Sequence, residues 1–367
     1  MNLGITHPVP LETNESRTGN DLVTIENPIE YRDWDRKVLG SHEYSIFHSS
    51  AWAKVLTDAY GYQSRYFCIE NGSRFAAMIP IMEISSPLTG KRGVSLPFTD
   101  HCSPIIDGAD RSRQMWQEVV RHGKDNAWKY IEFHGGKNLF AGHVPAASFF
   151  KHDIFISEDV EEIFSKLHGS RRRNIKKADR AGVQVQIDNS PDAMRIFYGL
   201  HCKTRERHKI PPQPFHFFEN IYSHIIARGQ GNIITAVHED KSIGAAVFFH
   251  YGTKALYKFG ASDLDHQHLR MNDLIIWKAI EWYASAAPHR FETLSLGRTA
   301  KDNEGLRRFK NSWGAEESNV HYYEYSLTND RFEKSSPNIT GLSRKILPRL
   351  PSFLVRKIGS WMYRHIG

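Results

Sequence analysis

The 367-residue chain has only three cysteines, Cys68, Cys102 and Cys202, an odd number with no CxxC spacing. Such a set builds neither a disulfide framework nor a cysteine zinc site, so reduced core residues are expected. No apolar run approaches the roughly 20 residues needed to cross a bilayer. The opening segment MNLGITHPVPLETNESRTGND is too polar for a secretory signal, and a cytoplasmic location is the expectation. A G-x-S-x-G elbow is missing, which removes support for serine-hydrolase chemistry. So is G-x-x-x-x-G-K-[ST], the signature of a P-loop. His266 and His268, near Asp263 and Asp265, lack a third placed ligand, so no metal is expected.

What is present reads as an ordinary globular protein: 40% of residues are hydrophobic and 24% charged. The length predicts two domains. The net charge of +7 is local, because residues 331–367 hold eight basic side chains and a single acidic one, leaving residues 1–330 neutral. That balance excludes a whole-surface affinity for nucleic acid and points to a basic element at the C-terminus. There, SFLVRKIGSWMYRHIG sets Leu354, Val355, Ile358, Trp361, Met362 and Ile366 on one arc and Arg356, Lys357 and Arg364 on the other. An amphipathic helix of this kind either docks on the protein body or contacts the inner membrane peripherally.

In the second half, GVQVQI (182–187) alternates as a strand and is followed by helical stretches at 191–208 and 215–228, separated by a proline cluster. Three strand-like runs at 232–239, 242–251 and 254–261 form a meander. A helix over 273–285, capped by Asn272, precedes a strand at 291–296, a helix at 302–313 and a strand at 321–327. This order of elements resembles the GNAT acyltransferase fold. Residues 22–133 repeat it less cleanly: LVTIE, a helix at 49–60, a meander from SRYFCIE through RFAAMIPIMEI to GVSLPF, a helix at 110–126 and WKYIEF. The expected architecture is therefore α/β (α+β), with two tandem lobes, 1–160 and 161–330. Each is a mixed, mainly antiparallel sheet flanked by helices, and a tail follows at 331–367. The cleft between two such lobes is a preferred ligand site.

Three local patterns suggest chemistry. Residues 165–183 put seven basic side chains into fifteen positions, which reads as a solvated helix or as an anion platform. On the 302–313 helix, Lys310 falls on the apolar arc with Leu306, Phe309 and Trp313, while Arg307 and Arg308 point away. A lysine placed so must snorkel, find an acid, or face a site, and Arg298 just upstream could join it on one anionic group or a developing oxyanion. The segment 260–273 joins a strand to a helix N-terminus, a place suited to anions, with Gly260 the last glycine before the helix.

These residues resemble the FemAB family of aminoacyltransferases, and in particular its relatives encoded with exopolysaccharide and exosortase (PEP-CTERM) systems. The similarity rests on Ser95-Leu96-Pro97-Phe98-Thr99-Asp100 with Pro104, on Arg172, Ile175, Lys177 and Ala178, and on Gly297, Arg298, Phe309, Lys310, Trp313 and Gly314. Leu350-Pro351, Gly359 and Ile366-Gly367 echo the ending of the same family. The resemblance implies transfer of an acyl or aminoacyl group to an amine of a phosphate-bearing cell-wall or exopolysaccharide precursor. It implies Lys310 and Arg298 at the reaction centre, with Phe309, Trp313, Arg172, Lys177, Gly260 and Asp100 binding substrate. No tightly bound cofactor is expected; acyl-CoA or aminoacyl-tRNA serves as co-substrate. The coiled-coil insertion that some family members carry for tRNA is absent, and so is the Q/R-x-x-G-x-G/A loop that GNAT enzymes use for coenzyme A. An acyl-CoA-dependent sugar N-acetyltransferase and a non-catalytic scaffold at the membrane are the alternative readings.

Overall fold

The computed structural model describes residues 22–41, 43–286, 290–334, 359 and 361–365. The first half contains β1 (Thr24–Glu26), α1 (Trp34–Leu39), α2 (Ser50–Tyr60), β2 (Gln63–Ser64), β3 (Tyr66–Asn71), β4 (Arg74–Ile79), β5 (Met82–Ser86), β6 (Gly90–Ser95), β7 (Ile105–Ile106), α3 (Ala109–Asp125) and β8 (Tyr130–Phe133). Next come β9 (Ala147–Phe155), α4 (Val160–Lys166) and α5 (Gly169–Arg180). The second half contains β10 (Gln184–Ile187), α6 (Pro191–Arg207), α7 (Phe215–His224), β11 (Gly231–His238), β12 (Lys241–Tyr251), β13 (Lys254–Ser262), α8 (Met271–Ser285), β14 (Thr293–Ala300), α9 (Glu304–Asn311), β15 (Glu316–Ser326) and β16 (Arg331–Glu333).

Local chemistry sets several boundaries. Ser49 caps α2 by accepting from the Trp52 N–H at 3.2 Å, and Gly61 ends that helix in the left-handed region. Ser190 caps α6 in the same way, with Pro191 at its first position. Two expectations are corrected. RFAAMIPIMEI is not one strand: at Pro80, which cannot donate to a ladder, it divides into β4 and β5, which join different sheets. Asn272 does not cap α8, because Arg270 turns the chain with φ 63° and Asn272 already lies in the first turn.

Two sheets result. β1, β3, β4 and β7 form a four-stranded sheet; the other runs in the order β10-β11-β12-β13-β14-β9-β15-β8-β6-β5-β2, with β16 beside β15. The tandem arrangement is present, and the lobes share strands. β9 comes before the second lobe in sequence, yet it pairs antiparallel with β14 on one edge and β15 on the other. β15 returns the exchange, since its residues 323–326 pair with β8. Sequence patterning did not suggest β9, because ASFFKHDIF alternates poorly; its Lys151 and Asp153 line an interlobe cavity, and the buried His152 between them lies 3.3 Å from Glu317 on β15.

Three apolar clusters fill the body. One lies under α8 around Trp277, Tyr283 and Trp313, one between α3 and the four-stranded sheet, and one at the lobe junction around Trp52, Phe217 and Phe249. The helical residues 361–365 dock at that junction. The Tyr363 ring packs on Phe98, and its hydroxyl donates to the Pro211 carbonyl at 3.0 Å. The buried Arg92 donates to the His365 carbonyl at 2.8 Å, and Tyr62 donates to the Tyr363 carbonyl at 2.9 Å. The remainder of the expected tail helix lies outside the described residues. Among those described, no helix is long and apolar enough to cross a membrane.

Candidate active site

Parallel pairing between β13 and β14 covers only Lys254–Leu256 against Thr293–Ser295, after which the two strands diverge while β14 stays on β9. The register of β14 on β9 shifts between Ser295 and Arg298, and Gly297 takes φ 70° in this bulge. Into the opening comes the first lobe's loop after β6, whose Leu96 and Phe98 both adopt positive φ. Non-glycine residues reach that region at a cost of roughly 1–2 kcal/mol each, so the loop is held by its surroundings.

Asp100 at the tip of this loop accepts from Lys258 Nζ at 2.7 Å, and the same ammonium donates to the Phe98 carbonyl at 2.8 Å. Burial opposes ionisation of Asp100, but Lys258, Arg298 and Lys310 together hold its carboxyl below the ordinary range. A Cβ on Gly297 would sit 3.5 Å from that carboxyl group, so glycine serves both the backbone angle and the close approach. The backbone around Asp100 is fixed from the other side by Tyr322, whose hydroxyl donates to the Asp100 carbonyl at 2.8 Å.

Lys310 does not snorkel. It is 6% exposed and donates from Nζ to the carbonyls of Gly297 at 3.0 Å and Arg298 at 2.9 Å, fastening α9 to the bulge. Burial lowers its pKa to about 8, with Asp100 opposing and Arg298 reinforcing the shift. An ammonium has three N–H donors, so one remains uncommitted among the described residues. The Arg298 guanidinium lies over the rings of Phe149, at 4.4 Å, and Tyr322, at 4.9 Å.

The other expected site residues are more dispersed. Trp313 is wholly within the α8 core, and Phe309 is half-buried with Arg171 over its ring at 4.9 Å. Arg172 and Lys177 are exposed on α5, whose Ile175 and Ala178 face inward; Arg171, their neighbour, makes the buried contact. Gly260 is exposed on β13, where a Cβ would overlap the Tyr257 hydroxyl. Leu306 is 37% exposed, so the apolar arc of α9 begins at Phe309. Sequence reading missed Lys258; its only signal was a lysine between the aromatic residues Tyr257 and Phe259.

A cavity of about 370 Å³ adjoins the charged cluster between the lobes. Phe47, Phe249 and Leu256 give it apolar walls, while Asp100, His101, Lys151, Asp153, Lys254 and Arg298 supply the polar ones. Burial pushes His101 down to about 4, so this imidazole is neutral at physiological pH.

Residues 165–311 match a family model described as an acetyltransferase (GNAT) domain. Residues 165–311 have the GNAT fold. The chain as a whole has the fold of FemX, at 14% identity and a TM-score of 0.64 over 84% of this chain and 98% of the other. It is also similar to the C-terminal domain assigned to a lysylphosphatidylglycerol synthetase of Agrobacterium fabrum, at 12% identity and TM-score 0.54 over 89% and 96%. A tandem GNAT protein from the clavulanic acid biosynthesis pathway aligns at 13% identity and TM-score 0.50 over 83% and 98%. No curated protein sequence matches the chain.

In a GNAT domain the junction between β13 and α8 is the place for the pyrophosphate of coenzyme A. The residues present do not fit that anion. No glycine occurs between Gly260 and α8, Asp263 is buried in the connection, and Asp273 is buried in the first helical turn. Asp273 pairs with Arg171 at 2.5 Å and accepts from Asn174 at 3.3 Å, so a side-chain carboxylate already lies at the positive end of the helix dipole.

Proposed function

We propose that this chain is a FemAB-like N-acyltransferase, with lobes 1–160 and 161–330, that transfers an acyl or aminoacyl group to an amine of a phosphate-bearing cell-wall or exopolysaccharide precursor. The observation that carries the reading is the buried ammonium of Lys310, held on the Gly297 and Arg298 carbonyls where β13 and β14 part, inside the GNAT domain. Overlap with FemX along nearly the whole of that chain supports the same reading.

The acceptor nitrogen attacks the carbonyl carbon of an activated ester or thioester. The new C–N bond replaces the C–O or C–S bond, and the departing alcohol or thiol takes up the proton that the amine gives away. Lys310, with its free N–H, stabilises the negative charge that develops on the carbonyl oxygen, an effect that commonly contributes about 10²–10³ in rate. Asp100 and Lys258 fix the geometry and charge balance of the cluster. The α8 junction argues against coenzyme A being gripped there by its pyrophosphate, which favours a donor held through its acyl or aminoacyl end.

The test offers purified protein acetyl-CoA or charged tRNA together with amine-bearing precursors, and reads products by mass spectrometry. Product from one donor class, lost in Lys310→Ala, is expected. A chain that turns over neither donor, while Lys310→Ala still complements a deletion strain, would reject the reading in favour of a scaffold.

A further inference from the structure

We propose that Tyr363, in the helical residues 361–365, is a positioning residue for the transfer site: its ring braces Phe98 and so fixes the loop that presents Asp100 to Lys258. The proposal rests on the acyltransferase reading and names a group that the reaction needs outside the cavity.

Tyr363 is seated on both lobes. On the second, its hydroxyl donates to the Pro211 carbonyl at 3.0 Å and accepts from Arg205 at 2.5 Å. Gly359 allows the close approach, since a Cβ there would come 2.8 Å from the Pro212 carbonyl oxygen and 2.9 Å from Pro211 Cβ. On the first lobe, the Tyr62 hydroxyl donates to the carbonyls of Tyr363 at 2.9 Å and Arg364 at 3.2 Å, and the buried Arg92 guanidinium donates to the His365 carbonyl at 2.8 Å. Bonds from a charged donor are the stronger kind, so the seat is firm.

The brace reaches the site through one ring. Tyr363 meets Phe98 edge to face with centroids 5.9 Å apart, and Tyr60 and Phe217 pack on the Phe98 ring at 5.1 and 5.7 Å. Phe98 has φ 60°, which a bulky residue keeps only where its surroundings impose it. The Thr99 hydroxyl closes the turn on the Leu96 carbonyl at 2.7 Å, so residues 96–99 move as one piece. Lys258 then donates to both the Phe98 carbonyl, at 2.8 Å, and the Asp100 carboxylate, at 2.7 Å. Withdrawing the Tyr363 ring leaves a void beside Phe98, relaxes its backbone angle and shifts both acceptors away from Lys258.

The experiment compares the full chain with Tyr363→Leu, Gly359→Val and Tyr363→Phe by hydrogen–deuterium exchange and by steady-state kinetics on the donor and amine that give product. Tyr363→Leu removes the aromatic edge, and Gly359→Val unseats it without altering it. Both should speed exchange across residues 96–102 by about tenfold or more while α8 keeps its protection. Both should also lower kcat by about tenfold or more, with a smaller change in KM. Lys310 is faced by Asp100 on the loop, Arg298 on β14 and His152 on β9, and Asp100 favours its ammonium form. A receding Asp100 therefore moves the alkaline limb of turnover to lower pH. Tyr363→Phe, which keeps the ring, should bring exchange, kcat and pH profile back near the parent values. Unchanged exchange across 96–102 in Tyr363→Leu and Gly359→Val, or equal loosening of that loop and α8, overturns the proposal. Faster loop exchange in a chain that turns over neither donor would support the brace and count against the transferase reading alone. Turnover lost in Lys310→Ala but kept in Tyr363→Leu would count against the brace alone.

Discussion

Each lobe contains one pair of parallel strands that runs together briefly and then parts, and the two openings are filled by opposite means. In the first lobe, β6 and β8 pair over Gly93–Ser95 and Ile131–Phe133. Beyond that point the gap is closed by its own polar groups: the Cys102 N–H donates to the His134 carbonyl at 2.7 Å, His134 meets Glu132 at 2.8 Å and Thr99 at 3.1 Å, and Tyr322 stacks on the imidazole at 4.3 Å. Burial raises the cost of the Glu132 charge, but His134, joined by Arg92 and Arg298, holds the carboxyl low. In the second lobe the gap between β13 and β14 holds Lys258, Lys310, Arg298 and a carboxylate contributed by the first lobe. The first opening is self-satisfied; the second keeps uncommitted donors beside a cavity. One topological feature thus serves as scaffold in one copy and as the candidate site in the other.

The largest expected departure between the two is Lys310→Ala. Loss of a donor aimed at developing charge should lower turnover of the folded enzyme by about 10² or more, with a stability cost of roughly 1–3 kcal/mol for the two carbonyls left unpaired, as steady-state kinetics and thermal denaturation on the same samples would show. The reverse pattern belongs to His134→Ala. It leaves the half-buried Glu132 without its partner and removes the ring stacked on Tyr322, so a stability loss of roughly 1–3 kcal/mol is expected in urea unfolding, with the residual folded fraction still active. An equal loss of turnover in both variants would erase the distinction between the lobes.

Gly297→Ala probes the bulge itself. Positive φ and the nearby Asp100 carboxyl predict a cost of roughly 1–2 kcal/mol in stability, together with a fall in kcat that exceeds any rise in KM. The smallest effect is on pH dependence. If the ammonium form of Lys310 is the active one, turnover declines as pH rises through about 8, and Lys310→Arg flattens that limb. The stability contribution has the opposite sign. Between about 8 and the ordinary lysine value of 10.5 the unfolded chain binds more protons than the folded one, so this residue makes stability rise with pH across that window. A pH–rate profile and unfolding midpoints at several pH values check both.

Much of the second lobe was legible because its elements are long and strongly patterned: the meander β11 to β13 and helices α6 and α8 fall within a few residues of their expected limits. The lysine on α9 was legible as a violation of its helix's apolar arc. Lys258, His101, Lys151 and Asp153 were not, because each is an ordinary polar residue on a strand or loop until another segment is packed beside it.

The sequence by itself determined where the chain turns, which faces are apolar, and that a cation near residue 310 would be drawn inward, since these follow from side-chain polarity and local backbone preference. Only the tertiary structure decided that β9 and β15 would cross between lobes, that Asp100 would reach Lys258, and that Asp153 and Arg298 would share one wall. Those outcomes depend on hydrogen-bond pairing between segments more than a hundred residues apart, and no local periodicity encodes which edge a strand will join.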